Sequence, residues 1–246
     1  MTSSPSSPSR ARSPEAAALA DEGWVVRDTS VTSPAVAASD EDWTRYAQHW
    51  DHLTLDRYMK DGGTYRYRRF GHYRLDGKSL TRLPHSTYHQ DTSVNPLNGG
   101  VDRSFEPLTA AFADDPLTGS VVRMLGGIVS EAEGNSVWDV KLHPFRIVSS
   151  PDQPGRPAPQ GRHRDGCTYV TSLLIRRANI DGGTSSLYDS RGRRTMSAEL
   201  TGPGDYLLID DRRVMHDVTD IHPRDAARPA YRDVLIVDFD RMAGHG

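Results

Sequence analysis

The sequence is nearly devoid of cysteine. Cys167 is alone among 246 residues, which excludes an intramolecular disulfide and a four-cysteine zinc site. A reducing, cytoplasmic setting suits such a chain. Long apolar runs are missing too: no stretch of about 18 apolar residues reads as a membrane span. The opening MTSSPSSPSRARSPEAAALADEG lacks the apolar segment that a secretory signal needs ahead of its cleavage site. Nor is there an excess of one charge, since 30 Lys and Arg face 33 Asp and Glu for a formal charge of −3. Without a basic field, nucleic acid and anionic membranes are poor partners, and a small molecule is expected.

What is present is a change of pattern along the chain. Residues 1–22, rich in Ser, Pro and Arg, predict a disordered tail, followed by a single domain over 23–246. Asp40 to Lys60 places Trp43, Tyr46, Ala47, Trp50 and Leu53 at helical spacing behind acidic capping residues. Thr64 to Tyr73 alternates aromatic and basic residues as a strand with one wet face would, so Arg66, Arg68 and Arg69 read as solvated. Phe105 to Ala132, broken by Pro116, predicts two helices. From Ser136 onward short β-rich runs follow one another: Val137 to Val148, His163 to Ile175, Thr184 to Tyr188, Asp205 to Ile209, Val214 to Thr219 and Arg232 to Phe239. Strands so closely spaced, with no helical pattern between them, exclude a parallel βαβ sheet. The expected class is α+β, a double-stranded β-helix (jelly-roll or cupin-like) core flanked by N-terminal helices.

The sharpest chemical feature is Gly161-Arg162-His163-Arg164-Asp165-Gly166, with His216 standing 53 residues beyond His163. Residues two apart on a strand share a face, so His163 and Asp165 can bind one ion side by side, with His216 as the third ligand. Two imidazoles and one carboxylate form the facial triad of non-haem iron(II), leaving room for a bidentate 2-oxo acid and O2. Arg232 heads the last strand-like run and offers a bidentate fork for the distal carboxylate of a 2-oxo diacid. The same three ligands also suit a zinc or manganese hydrolase or isomerase on a cupin-like barrel, or a non-catalytic metal or 2-oxoglutarate binder. Arg232 weighs against the hydrolase, which has no use for such an anchor.

HPFRI (143–147), APQGRHRDG (158–166), NIDGGTSSLYD (179–189), LIDDRRVMHDVTDI (208–221) and YRDVLIVDF (231–239) resemble the bacterial 2-oxoglutarate- and iron-dependent dioxygenases that include L-isoleucine hydroxylases and related free amino acid oxygenases. YRYRRFGHY and the segment from Asn95 to Leu108 extend the resemblance over roughly residues 40 to 240. It implies Fe(II), 2-oxoglutarate and O2, with His163, Asp165 and His216 as metal ligands and Arg232 as co-substrate anchor. It further implies oxidation of an unactivated C–H bond in a free or lightly modified amino acid, most simply hydroxylation. Relatives that halogenate carry a small residue where Asp165 stands, so halogenation is not expected. Many relatives carry Glu at the position of Gln160.

Substrate contacts are expected from Arg103, Arg146 and Gln160: arginine for a carboxylate, and a neutral amide for an amine. His143 either lines the pocket or bonds within the core. Cys167 has no base placed near it and reads as inert. Asp210 and Asp211 could orient an imidazole, Gly182-Gly183 makes a tight turn, and His222 and His245 have no assigned part.

Overall fold

The protein is represented by a computed structural model that describes residues 12–92, 97, 99–134 and 136–242. In chain order it runs α1 (Pro14–Glu22), β1 (Trp24–Arg27), α2 (Thr29–Val36), α3 (Asp40–Ala47), a 3-10 turn (Gln48–His52), β2 (Thr54–Leu55), β3 (Arg66–Arg68), β4 (Gly71–Asp76), β5 (Ser79–Arg82), α4 (Ala110–Ala113) and α5 (Pro116–Glu133). The β-rich half follows as β6 (Val137–Ser149), β7 (Tyr169–Ala178), β8 (Ile180–Gly182), β9 (Thr184–Tyr188), β10 (Arg194–Glu199), β11 (Tyr206–Asp210), β12 (Met215–Val218), β13 (Ile221–Pro223) and β14 (Ala230–Arg241).

Among the described residues, one antiparallel sheet has the order β1-β11-β7-β14-β6-β3-β2, with β4 and β5 continuing from the far end of β6. A smaller layer, β10-β9-β12 and the pair β13-β8, faces it. The two layers form a jelly-roll core, and helices cover the outer face of the large sheet. The alternation of β14 shows how. Leu235, Val237 and Phe239 join α5 residues Val121, Val122, Leu125 and Val129 in the larger core, whereas Val234 and Ile236 belong to the cluster between the layers. β6 divides likewise: Val140 and Leu142 face the helices, and Phe145 faces inward. In β7 a bulge falls at Ile175, where the pairing with β14 slips between Asp233 and Val234. Leu174 lies in the interlayer cluster and Ile175 in the helix-side core, and beyond the bulge the parity is reversed.

Three expectations need correction. The tail expected through residue 22 is helical from Pro14, capped by Ser13 and closed by left-handed Gly23. Its alanine-rich run favours a helix, and buried Ala16 and Leu19 anchor it beside α5; residues 1–11 lie outside the described residues. The helix expected over 40–60 keeps its capping box at Ser39 and Asp42 but stops at Ala47. There the Trp50 indole donates to the carbonyl of Phe145 at 3.0 Å and draws the chain onto the sheet. The strand expected from His163 begins only at Tyr169, because the preceding residues are held in a loop.

Candidate active site

Between the layers lies a cleft of about 130 Å³, open at its mouth to solvent and lined by strands of both sheets. At one end His163, Asp165 and His216 bring their ligand atoms within 4.8 Å of one another. The cause is not two neighbours on one strand. His163 and His216 form an isolated antiparallel bridge, each amide donating to the other's carbonyl at 2.9 Å, which sets the imidazoles side by side with centroids 4.3 Å apart. Asp165 arrives from the loop after His163. Its amide and that of Gly166 donate to Asp211 at 3.0 and 2.7 Å, so Asp211 holds the loop in place and Asp210 pairs instead with Arg212. The Asp165 carboxylate lies 3.6 Å from His163 Nε2 and 3.3 Å from His216 Nε2.

The donor set suits a divalent metal of intermediate softness. The backbone carbonyl of Gly161 lies 2.7 Å from His163 Nδ1. A proton on that nitrogen leaves the Nε2 lone pair for a metal, the second contact that metal-binding imidazoles commonly use. Burial opposes a charge on Asp165, but His216 and His163 hold its carboxyl well below the usual range.

Deeper in the cleft, Arg232 on β14 is 2% exposed, and its Nε and Nη2 have no hydrogen-bond partner. Burial and the neighbouring Arg177 push its pKa down to about 10. Arg177 itself is engaged by Glu199. A buried guanidinium without an anion calls for one, and the Ser185 hydroxyl, also buried and unpartnered, lines the same cleft. These residues fit a 2-oxo diacid held between metal and arginine. Gly183, at φ +76°, makes room for this side chain: a Cβ there would stand 3.2 Å from Arg232 Cδ. The Gly182-Gly183 turn therefore also leaves space for the Arg232 side chain.

Of the expected substrate contacts, Arg103 and Gln160 line the cleft. Arg146 does not. It lies on the helix-facing side of β6, where it clasps fully buried Asp233 with contacts of 2.7 and 2.8 Å and reaches Asp51 at 2.8 Å. The alternation that turns His143, Phe145 and Ile147 inward turns Arg146 outward. Arg66 and Arg68 are corrected in the opposite sense: both are buried in the cleft wall, Arg66 paired with Asp56 at 2.7 Å. Cys167 is buried, and burial pushes its thiol pKa up, as befits an inert residue. Asp238 was not singled out by the sequence pattern, although it shares the parity of Arg232 on β14 and lines the cleft. Part of the segment from Asn95 to Leu108, and His245, lie outside the described residues. Among the described residues no helix is long and apolar enough to cross a membrane.

Comparison with known proteins agrees with this geometry. The chain is 23% identical over 197 residues, 78% of each chain, to 3(1)-hydroxy-L-isoleucine 4-dioxygenase of Pantoea ananatis. A crystal structure of a bsmA homologue from Methylobium petroleophilum matches with a TM-score of 0.84 and 30% identity, covering 96% of this chain and 97% of that one. IDO from Bacillus thuringiensis shares the fold at a TM-score of 0.76 and 18% identity, over 93% and 95% of the two chains. The family model for 2OG-Fe dioxygenases matches residues 47–238, a span that takes in both layers of the cleft. The chain therefore belongs to the 2OG-Fe dioxygenase family and is an enzyme that works with iron(II), 2-oxoglutarate and O2.

Proposed function

We propose that His163, Asp165 and His216 hold the iron, that Arg232 receives the distal carboxylate of 2-oxoglutarate, and that the enzyme oxidises an unactivated C–H bond of a free or lightly modified amino acid, with hydroxylation as the ordinary outcome. One observation carries the reading. A compact two-imidazole, one-carboxylate cluster shares a cleft with a buried guanidinium that has no partner of its own.

When bound, the iron and its co-substrate activate O2 for C–H oxidation. The chain's own residues make that selective. The Gly161 carbonyl fixes the His163 ring, and Asp211 fixes the loop bearing Asp165. Arg232 neutralises an anion that would otherwise be costly to bury. Apolar residues such as Val234 and Ile236 exclude water from the wall between them, while Arg103 and Gln160 stand where the polar head of a substrate would be gripped.

The test is a screen of amino acids with iron(II), 2-oxoglutarate and ascorbate, read as substrate-dependent succinate release. Gain of one oxygen atom in the product mass is the expected result, whereas loss of two hydrogens would mean desaturation or ring closure. If amino acids and their N-acyl and peptide forms all leave succinate unchanged while a sugar, nucleoside or fatty acid raises it, the substrate class is wrong.

A further inference from the structure

Beside the metal cluster the cleft contains a polar relay with open ends. Arg68, 3% exposed, lies with Nη2 2.5 Å from His143 Nδ1, and His143 Nε2 lies 3.1 Å from Asp238 Oδ2. A guanidinium only donates, so His143 Nδ1 must accept and its Nε2–H must donate to Asp238. The imidazole is thereby fixed as a neutral linker, and burial together with Arg68 pushes its pKa well down. Three polar atoms along this wall are buried without a hydrogen-bond partner: Arg68 Nε, Arg103 Nε and Asp238 Oδ1. Arg103 is steadied by its 2.6 Å bond to Gln90 and by the face of Tyr88. Native interiors rarely leave such atoms open, and each costs about 1–3 kcal/mol if it stays so.

Two open donors and one open acceptor in one cleft match an ammonium and a carboxylate on the same small molecule. We infer that Asp238 receives the ammonium of the substrate through Oδ1 while Arg68 and Arg103 receive its carboxylate, so that the enzyme requires an amino acid with both ends unblocked. This rests on the amino acid reading above and narrows it. Charge favours Asp238 over Gln160 for the amine, since Gln160 is neutral and only half-buried. Burial and the nearby carboxylate of Asp165 raise the pKa of Asp238; a cation against Oδ1 offsets that cost, as an amide contact could not.

The experiment compares each of the proteinogenic α-amino acids with its N-acetyl derivative and with the carboxylic acid lacking the amine, in the iron-loaded wild type and in Asp238→Asn and Asp238→Glu, by kcat/KM for succinate release. In the wild type the accepted amino acid should exceed both counterparts by roughly 100-fold. Asp238→Asn should shrink the preference over the amine-free acid to within about tenfold, chiefly through KM, and Asp238→Glu should restore part of it. Because the preference is a ratio within one preparation, it does not depend on the fraction folded. An amine-free or N-acetyl substrate that matches the amino acid in the wild type overturns the inference even if no variant folds, and so does an undiminished preference in Asp238→Asn. In both cases the amino acid reading survives. If no member of the panel stimulates succinate release while a sugar, nucleoside or fatty acid does, that reading fails and this inference falls with it.

Discussion

At the scale of single residues, the cleft separates arginines that wait for an anion from arginines that already have one. Replacing Arg232 by Ala should raise KM for 2-oxoglutarate by roughly 100- to 1000-fold, the equivalent of a buried charge pair broken on one side, with a much smaller effect on KM for the amino acid. Steady-state kinetics with each substrate varied in turn would check this, and an unchanged dependence on 2-oxoglutarate would remove Arg232 from the anchor role. Arg146→Ala should do the reverse. Both Michaelis constants should stay put, while urea unfolding shows a loss of about 2–3 kcal/mol, less than for a fully orphaned charge because Arg176 still reaches Asp233 at 3.0 Å. That His163, Asp165 and His216 come together, and that Arg232 shares their cleft, was readable from residue type and spacing. Arg66 and Arg68 read as solvated because alternating charge looks the same on a wet face and on the polar wall of a cavity, whereas Arg146 read as a pocket residue on a strand whose inward face the sequence does not mark. Which parity faced inward depended on a strand register that only the folded partners define.

At the scale of elements, the strand Arg232 to Phe239 was legible from its β-branched run, Thr184 to Tyr188 from the turn residues on either side of it, and the two helices around Pro116 from period and punctuation. The short outer strands carry too few apolar residues to announce themselves, and α1 is masked by the Ser-, Pro- and Arg-rich run that precedes it. α1 also depends on tertiary support at the end of α5, where an acidic residue sits against the negative pole of the helix. Glu133 is kept there by Arg212, whose two nitrogens approach at 3.0 and 2.8 Å, and by the Tyr169 hydroxyl at 2.6 Å, while Glu131, two residues earlier, accepts the amide of Ser13 at 2.9 Å and ties down the cap of α1. The Arg212 contact lowers its pKa from 4.5 to about 2. A carboxyl with a folded pKa below its unfolded one contributes stability above the unfolded value, and that contribution drains away as pH falls through the folded value. Glu133→Gln should therefore cost about 1–2 kcal/mol near neutrality, allowing for solvent screening, and its deficit relative to wild type should close as the pH is lowered from 4.5 toward 2. Parallel urea titrations across that range would show it; a deficit independent of pH would mean the contact acts by packing alone.

At the scale of the whole molecule, the cluster of His163, Asp165 and His216 joins the loop before β7 to β12, and so couples the large sheet to the small one. Bound metal should then stabilise the fold and not merely occupy it. Iron(II) under anaerobic conditions at about 100 times its Kd should add about 2.7 kcal/mol and raise Tm by roughly 5–10 °C. Chelation should reverse the gain, and His216→Ala should abolish it. Calorimetry with and without metal gives the answer, and an equal shift in His216→Ala would mean that metal binds elsewhere.

The extra residue at Ile175 gives the large sheet something like a reading frame. Before it, the even-numbered residues of β7 spell out the reaction chamber and the odd ones the helix bed; after it the two messages change places. That is how adjacent arginines can serve opposite masters, Arg176 fastening Asp233 under the helices and Arg177 standing behind Arg232. Straightening the strand at this point would be a frameshift in space: every residue kept, no chemistry changed, yet each of the two arginines delivered to the other's address.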